Sequence, residues 1–110
     1  MSNEMSETIY LSGPMSGIPE YNYPAFQAAA ESMRAVGIMV ISPHEINHGI
    51  SDYAQCMKND IRALLQCDAI AMMEGWHDST GASIEIAVAR VCGLRVTTVE
   101  KEIKRKELNK

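Results

Sequence analysis

The stretch GWHDSTGASIEIAVA, residues 75–89, joins a turn, a helix start and one misplaced acid. Ser79, Thr80 and Gly81 read as a helix opening, whose first backbone N–H groups lack helical partners and form a seat for an anion. The helix predicted over residues 82–92 is almost entirely apolar apart from Glu85. Its neighbours three and four positions away, Gly81, Ala82, Val88 and Ala89, cannot neutralise it. A carboxylate so placed must be buried at a cost, reach a partner on another element, or face a cavity. Acids perturbed in this way are candidates for chemistry. The bland alternative is a Glu tied for structural reasons to a backbone donor or a distant Arg.

Other residues could act with it. On the helix predicted over 53–66, Met57, Ile61, Leu64 and Leu65 form an apolar face, and Gln55, Lys58, Asn59, Arg62 and Gln66 a polar one. Asp60 falls at the edge of the apolar stripe, so it is either a second inward acid or a boundary Asp wetted by solvent. Tyr10 lies in an aliphatic strand, where its hydroxyl needs a partner unless the residue is an ordinary β-former. Asp68 is a weaker candidate for acid work, because a position just before a strand suits capping or turning the chain. Trp76 offers a stacking surface, although a lone Trp in a loop is more often a packing residue. His44–His48 spells HExxH, the zinc protease signature, but Pro43 precedes it and Gly49 follows. That leaves about one turn where the motif needs a stable helix presenting both imidazoles, so no metal or other cofactor is expected.

The elements that must hold these residues alternate along the chain. TIYLS at 8–12, IMVI at 38–41, AIAMM at 69–73 and LRVTTV at 94–99 are short apolar runs bounded by turn residues, and read as strands. Helical spacing over 24–35, 53–66 and 82–92 fills the gaps between them. The loop GPMSGIPEYNYP, with two glycines and three prolines, matches neither a Walker loop nor a GxGxxG fingerprint. Strands separated by helices predict parallel βαβ units: an α/β, three-layer Rossmann-like (flavodoxin-like) fold with a four- to five-stranded mainly parallel sheet and helices on both faces. In such sheets ligands bind beyond the carboxyl ends of the strands.

Composition narrows the class. The chain has 110 residues, 46% hydrophobic and 22% charged, which predicts one folded domain over 1–110 with its core at 8–99 and polar ends at 1–7 and 100–110. The end from residue 100 is read as a frayed helix or a mobile tail. A net charge of −4 without a basic stripe outside that tail speaks against nucleic-acid binding. Cys56, Cys67 and Cys92 lie in or beside apolar segments with no CxxC spacing and read as reduced core thiols. No apolar run approaches a membrane span and the N-terminus lacks a signal-peptide pattern, so a cytoplasmic protein is expected.

With IYLSGPMSG at the first strand, NDIRALLQCD at the second helix, and the SxGxxxE formed by Ser79, Gly81 and Glu85, residues 8–99 resemble the nucleoside 2-deoxyribosyltransferase superfamily. That superfamily includes small 2'-deoxynucleoside 5'-phosphate N-hydrolases, and the chain looks closest to a short phage and bacterial branch. The resemblance implies a transferase or hydrolase acting on a nucleoside or nucleotide, with Glu85 as nucleophile, Tyr10 as the hydroxyl that orients it, and Asp60 as the acid that assists departure of the base. It implies Gly13 and Ser79 near the sugar or its 5'-phosphate; Ser12, Gly81, Asp68 and Trp76 are read as further substrate-binding candidates beside them. It also implies a homodimer or larger assembly in which a neighbour completes the site. The GWHDST loop departs from the pattern.

The chemistry fits the residues independently of the resemblance. Cleaving an N-glycosidic bond builds positive charge on the sugar, which a carboxylate beneath the anomeric carbon can capture as a covalent intermediate. The departing base needs a proton, and an acid in a drier site retains one at neutral pH. Two alternatives stand beside this reading: a nucleotide-binding or sensing module that kept the pocket without turnover, and a zinc-dependent hydrolase using HExxH.

Overall fold

A computed structural model describes residues 7–109; residues 1–6 of the polar lead, and Lys110, lie outside it. The predicted strands form as β1 (Thr8–Ser12), β2 (Met39–Ile41), β3 (Ala69–Met72) and β4 (Arg95–Thr98). All pair in parallel, in the order β2-β1-β3-β4, with Tyr10 opposite Ile41 on one side and Ile70 on the other. The helices are α1 (Tyr23–Ala35), α2 (Pro43–Ile46), α3 (Tyr53–Leu64), α4 (Thr80–Val91) and α5 (Val99–Leu108), with 3-10 turns at Pro19–Asn22 and Trp76–Asp78. The chain winds outward from β1 to the edge strand β2, then crosses back past β1 to β3 and β4. The winding therefore reverses between β1 and β3, the point where open α/β sheets form a crevice at their carboxyl edge.

Strand alternation distributes the side chains between two cores. Ile9 and Leu11 face α1 and α5, packing with Phe26, Ala30, Met33 and Val99. Tyr10, Ile70 and Met72 face α3 and α4, packing with Leu64, Ala82, Ile86 and Ala89. The fold is therefore the expected three layers, with four strands and a wholly parallel sheet. Each fully buried aliphatic or aromatic side chain contributes about 1.5–3 kcal/mol through the water it leaves. The same alternation turns Tyr10 and Ser12 toward α4, which sets up the site.

Two features were not foreseen. Glu20, Tyr21 and Asn22 are successive left-handed residues, with φ of 58°, 53° and 62° and no glycine among them. Each such residue costs roughly 1–2 kcal/mol, and the Asn22 side chain compensates in part by donating to the Pro14 carbonyl at 3.0 Å. The second is the tail, which is a capped helix rather than a frayed or mobile end. Thr98 Oγ1 accepts from the Lys101 N–H, and Glu102 is 1% exposed. Glu102 takes bonds from Arg95 at 2.8 and 3.0 Å, Arg105 at 3.2 Å and Thr97 at 3.1 Å. A charge-dense composition hid this pairing, because Arg95 and Thr97 come from β4 and only Arg105 from the helix itself.

The Arg95 guanidinium, first among these partners, holds Glu102 down at about 2 against an ordinary 4.5. A depressed folded-state value contributes stability above the unfolded value, and that contribution is lost as pH falls through about 2. Glu102→Gln is thus expected to lower stability by about 1–3 kcal/mol at pH 7, with the difference shrinking below pH 4. Urea denaturation at several pH values checks this; an equal loss at pH 7 and pH 2.5 would contradict it.

Candidate active site

Glu85 projects from the middle of α4 toward the carboxyl half of β1 and is 4% exposed. Tyr10 Oη donates to its Oε2 at 3.0 Å and Ser12 Oγ donates to its Oε1 at 2.6 Å, so each carboxylate oxygen takes one hydroxyl. Both hydroxyl residues are fully buried. Asp60, on α3, is 5% exposed and lies beside Glu85, near enough for each carboxyl to act on the other; its Oδ1 accepts from Asn47 Nδ2 at 2.7 Å. Among the described residues neither acid has an ion-pair partner. The misplaced acid is thus held by two hydroxyls against a second acid, not by an Arg or a backbone donor. Asp60 is buried rather than wetted.

The electrostatics follow from that packing. Burial is the largest influence on Glu85 and pushes it up to about 8; the hydroxyl of Ser12 opposes this, Asp60 adds to it, and Tyr10 opposes it. Burial likewise pushes Asp60 up to about 6, against the donors on it. Two carboxyls in contact cannot both ionise cheaply, so the pair shares one proton at neutral pH. Burial first, and then the charge of Glu85, raises the Tyr10 hydroxyl well above its usual range, so Tyr10 acts as a donor and not as a base.

The raised value has a stability consequence. A carboxyl whose folded value is raised contributes fully below the unfolded 4.5 and loses that contribution as pH rises through about 8. Glu85→Gln removes the titration while keeping a polar group for both hydroxyls. The variant is expected to be more stable by about 1–4 kcal/mol above pH 8, with the gain fading toward pH 4.5. Thermal melts across that range test it, and a gain independent of pH would count against a buried charge.

The other sequence-predicted residues divide. Ser79 caps α4, accepting from the Ala82 N–H at 3.2 Å. Gly81 sits where α4 approaches α3; a Cβ there would touch Met57 and Tyr53 at 3.6 Å. Gly13 is needed for space, since a Cβ would lie 2.8 Å from that of Met73, so the loops after β1 and β3 close on each other. Ser12, expected at the substrate, donates its hydroxyl to Glu85. Trp76 is half-buried against the Tyr10 core with its ring stacked on His77 at 4.0 Å. Asp68 is not brought to the site: it precedes β3 at the opposite, amino edge, where Oδ2 accepts from the Thr8 N–H at 2.9 Å. The HExxH residues scatter, with Glu45 bound to Arg34 at 2.7 Å, His44 Nδ1 to Ser42 Oγ at 2.5 Å, and His48 at the surface. Asn47 escaped the sequence reading, because an Asn in a short loop carries no periodic signal.

A family described as a domain of unknown function, DUF4406, matches residues 7–98. The chain belongs to that family. Among solved structures, it is similar to a 2-deoxyribosyltransferase of the psychrotolerant bacterium Bacillus psychrosaccharolyticus, with a TM-score of 0.63 and 22% identity over 81% of this chain and 69% of that one. It is also similar to a 2-desoxiribosyltransferase of Leishmania mexicana, with a TM-score of 0.66 and 19% identity over 84% of this chain and 63% of that one. At such identities the likeness is one of fold, which this DUF4406 member shares with those enzymes while spanning about two thirds of their length. None of the curated proteins matches the chain.

Proposed function

We propose that the protein cleaves or transfers at the N-glycosidic bond of a nucleoside or nucleoside 5'-monophosphate. The observation that carries this reading is Glu85, buried, held by Tyr10 and Ser12, and in contact with Asp60. In the first step a Glu85 carboxylate oxygen bonds to the anomeric carbon as the bond to the base nitrogen breaks. The electron pair leaves with the base, and the Asp60 proton goes to the base. In the second, water or a second base attacks the same carbon, Glu85 is released, and the proton returns to Asp60. A sugar acquiring positive charge above Glu85 favours its ionised form and so places the shared proton on Asp60.

A screen of nucleosides and nucleoside 5'-monophosphates for free-base release, with and without an added acceptor base, tests the reading. Release from any of them supports it. Binding without release under all conditions would favour the alternative of a nucleotide-sensing module.

Self-association belongs to the same reading. Tyr53, Met57, Ile61, Leu65 and Ile84 line an open apolar groove between α3 and α4, with Lys58 and Arg62 at its rim. Leu65, at the end of α3, is 51% exposed, and Ile84, on the nearly all-apolar α4, is 45% exposed. A second copy covering this groove gives at least a dimer by light scattering, and Leu65→Glu with Ile84→Glu should give a monomer. A monomeric wild type at tens of micromolar would contradict it.

A further inference from the structure

A file of side-chain amides runs up to Asp60 from the surface of α3. Gln55 Nε2 donates to Asn59 Oδ1 at 2.9 Å, Asn59 Nδ2 to Asn47 Oδ1 at 3.1 Å, and Asn47 Nδ2 to Asp60 Oδ1 at 2.7 Å. Gln55 and Asn59 stand one helical turn apart, while Asn47 enters from the loop after α2 and is 3% exposed. The backbone of that loop is held separately, through the Asn47 N–H to the Pro43 carbonyl and the Ile50 N–H to the Asn47 carbonyl. The Asn47 side chain is therefore not what closes the turn. A primary amide carries its acceptor and its donors on opposite corners, so once Asn59 engages the carbonyl of Asn47, the NH2 must face Asp60. Every member of the file donates toward the acid.

We propose that this amide file positions the transferable proton of Asp60, filling Oδ1 with an N–H so that the proton is carried on Oδ2 and is delivered from there to the leaving base. The inference rests on the reading of Asp60 as the acid of the proposed glycosyl transfer. Asn47 touches no reacting atom and is a positioning residue. The titratable groups near enough to feel the charge of Asp60 are Glu85 from α4, Tyr10 from β1, Tyr23 from α1 and Cys56 from its own helix. None is a cation, which makes the N–H of Asn47 the contact whose loss the carboxyl should feel. Donation to the ionised form also keeps Asp60 a stronger acid than burial alone would leave it.

Two variants test this. Asn47→Leu keeps the volume and removes the donor. Asn59→Asp leaves Asn47 in place but demands its NH2, which turns the Asn47 carbonyl toward Asp60. Carboxyl 13C NMR titration of the full chain should show Asp60 raised by roughly one pH unit in both. Release of natural bases should slow about tenfold and its pH profile move upward, while release of 4-nitrophenolate from the matching glycoside stays within about twofold. An Asp60 titration unmoved in the folded Asn59→Asp variant would overturn the inference, as would equal slowing of both leaving groups. If the wild type releases no base from any substrate, the proposed function fails. The titration then decides the amide file by itself: a shift upholds its hold on the Asp60 proton, and no shift overturns it.

Discussion

Glu85→Ala is expected to lower turnover on the best substrate by about a thousandfold or more, the scale seen when a catalytic nucleophile is removed. The loss should fall on kcat, because Glu85 bonds to the sugar only as the base departs, whereas binding draws on the whole pocket. Alanine also leaves the Tyr10 and Ser12 hydroxyls buried without their acceptor, at a cost of about 1–3 kcal/mol. Glu85→Gln supplies the control: equally inactive, yet more stable than the wild type above pH 8. Inactivity with gained stability separates a chemical role from a structural one. A Glu85→Gln protein that retains turnover would exclude nucleophilic catalysis by this residue.

Asp60→Asn should slow release of natural bases by about a hundredfold to ten-thousandfold and largely spare a 4-nitrophenolate leaving group, which departs without a proton. The selectivity has a structural basis. An Asn at this position can accept from Asn47 through its carbonyl and offer its NH2 to Glu85, replacing a shared proton by a fixed donor. Glu85 then stays ionised, and its attack is not impaired. Equal losses on both leaving groups would make Asp60 a structural acid.

What the sequence disclosed depended on how local the signal was. The four strands and the order of the helices were legible because buried parallel strands are short apolar runs and the helices between them carry their own periodicity. Glu85 was legible as a conflict: an acid on an otherwise apolar helix. Strand alternation makes the contact of Tyr10 with it intelligible, since one face of β1 must meet α4. Ser12 was legible as a residue of the right edge, while its bond to Glu85 was not, because a sequence does not show which acceptor a hydroxyl will take. Asn47 and the Glu102 cluster depend on pairing between different elements, a loop with α3 and β4 with α5, to which composition is blind. Asp68 illustrates the same limit from the other side. It stands eight residues from Asp60 in the sequence, but at the far edge of the sheet.

The most direct measurement is covalent trapping at Glu85. A substrate with a 2-fluoro substituent on the sugar and a good leaving group destabilises the oxocarbenium-like transition states of both steps, while the leaving group lets formation of the ester outrun its hydrolysis. Mass mapping of peptides after incubation should find one glycosyl group on Glu85 and none in Glu85→Gln. A glycosyl group on Asp60 or Asp68 instead, or rapid turnover of the fluorinated substrate with no labelled peptide, would contradict the covalent mechanism.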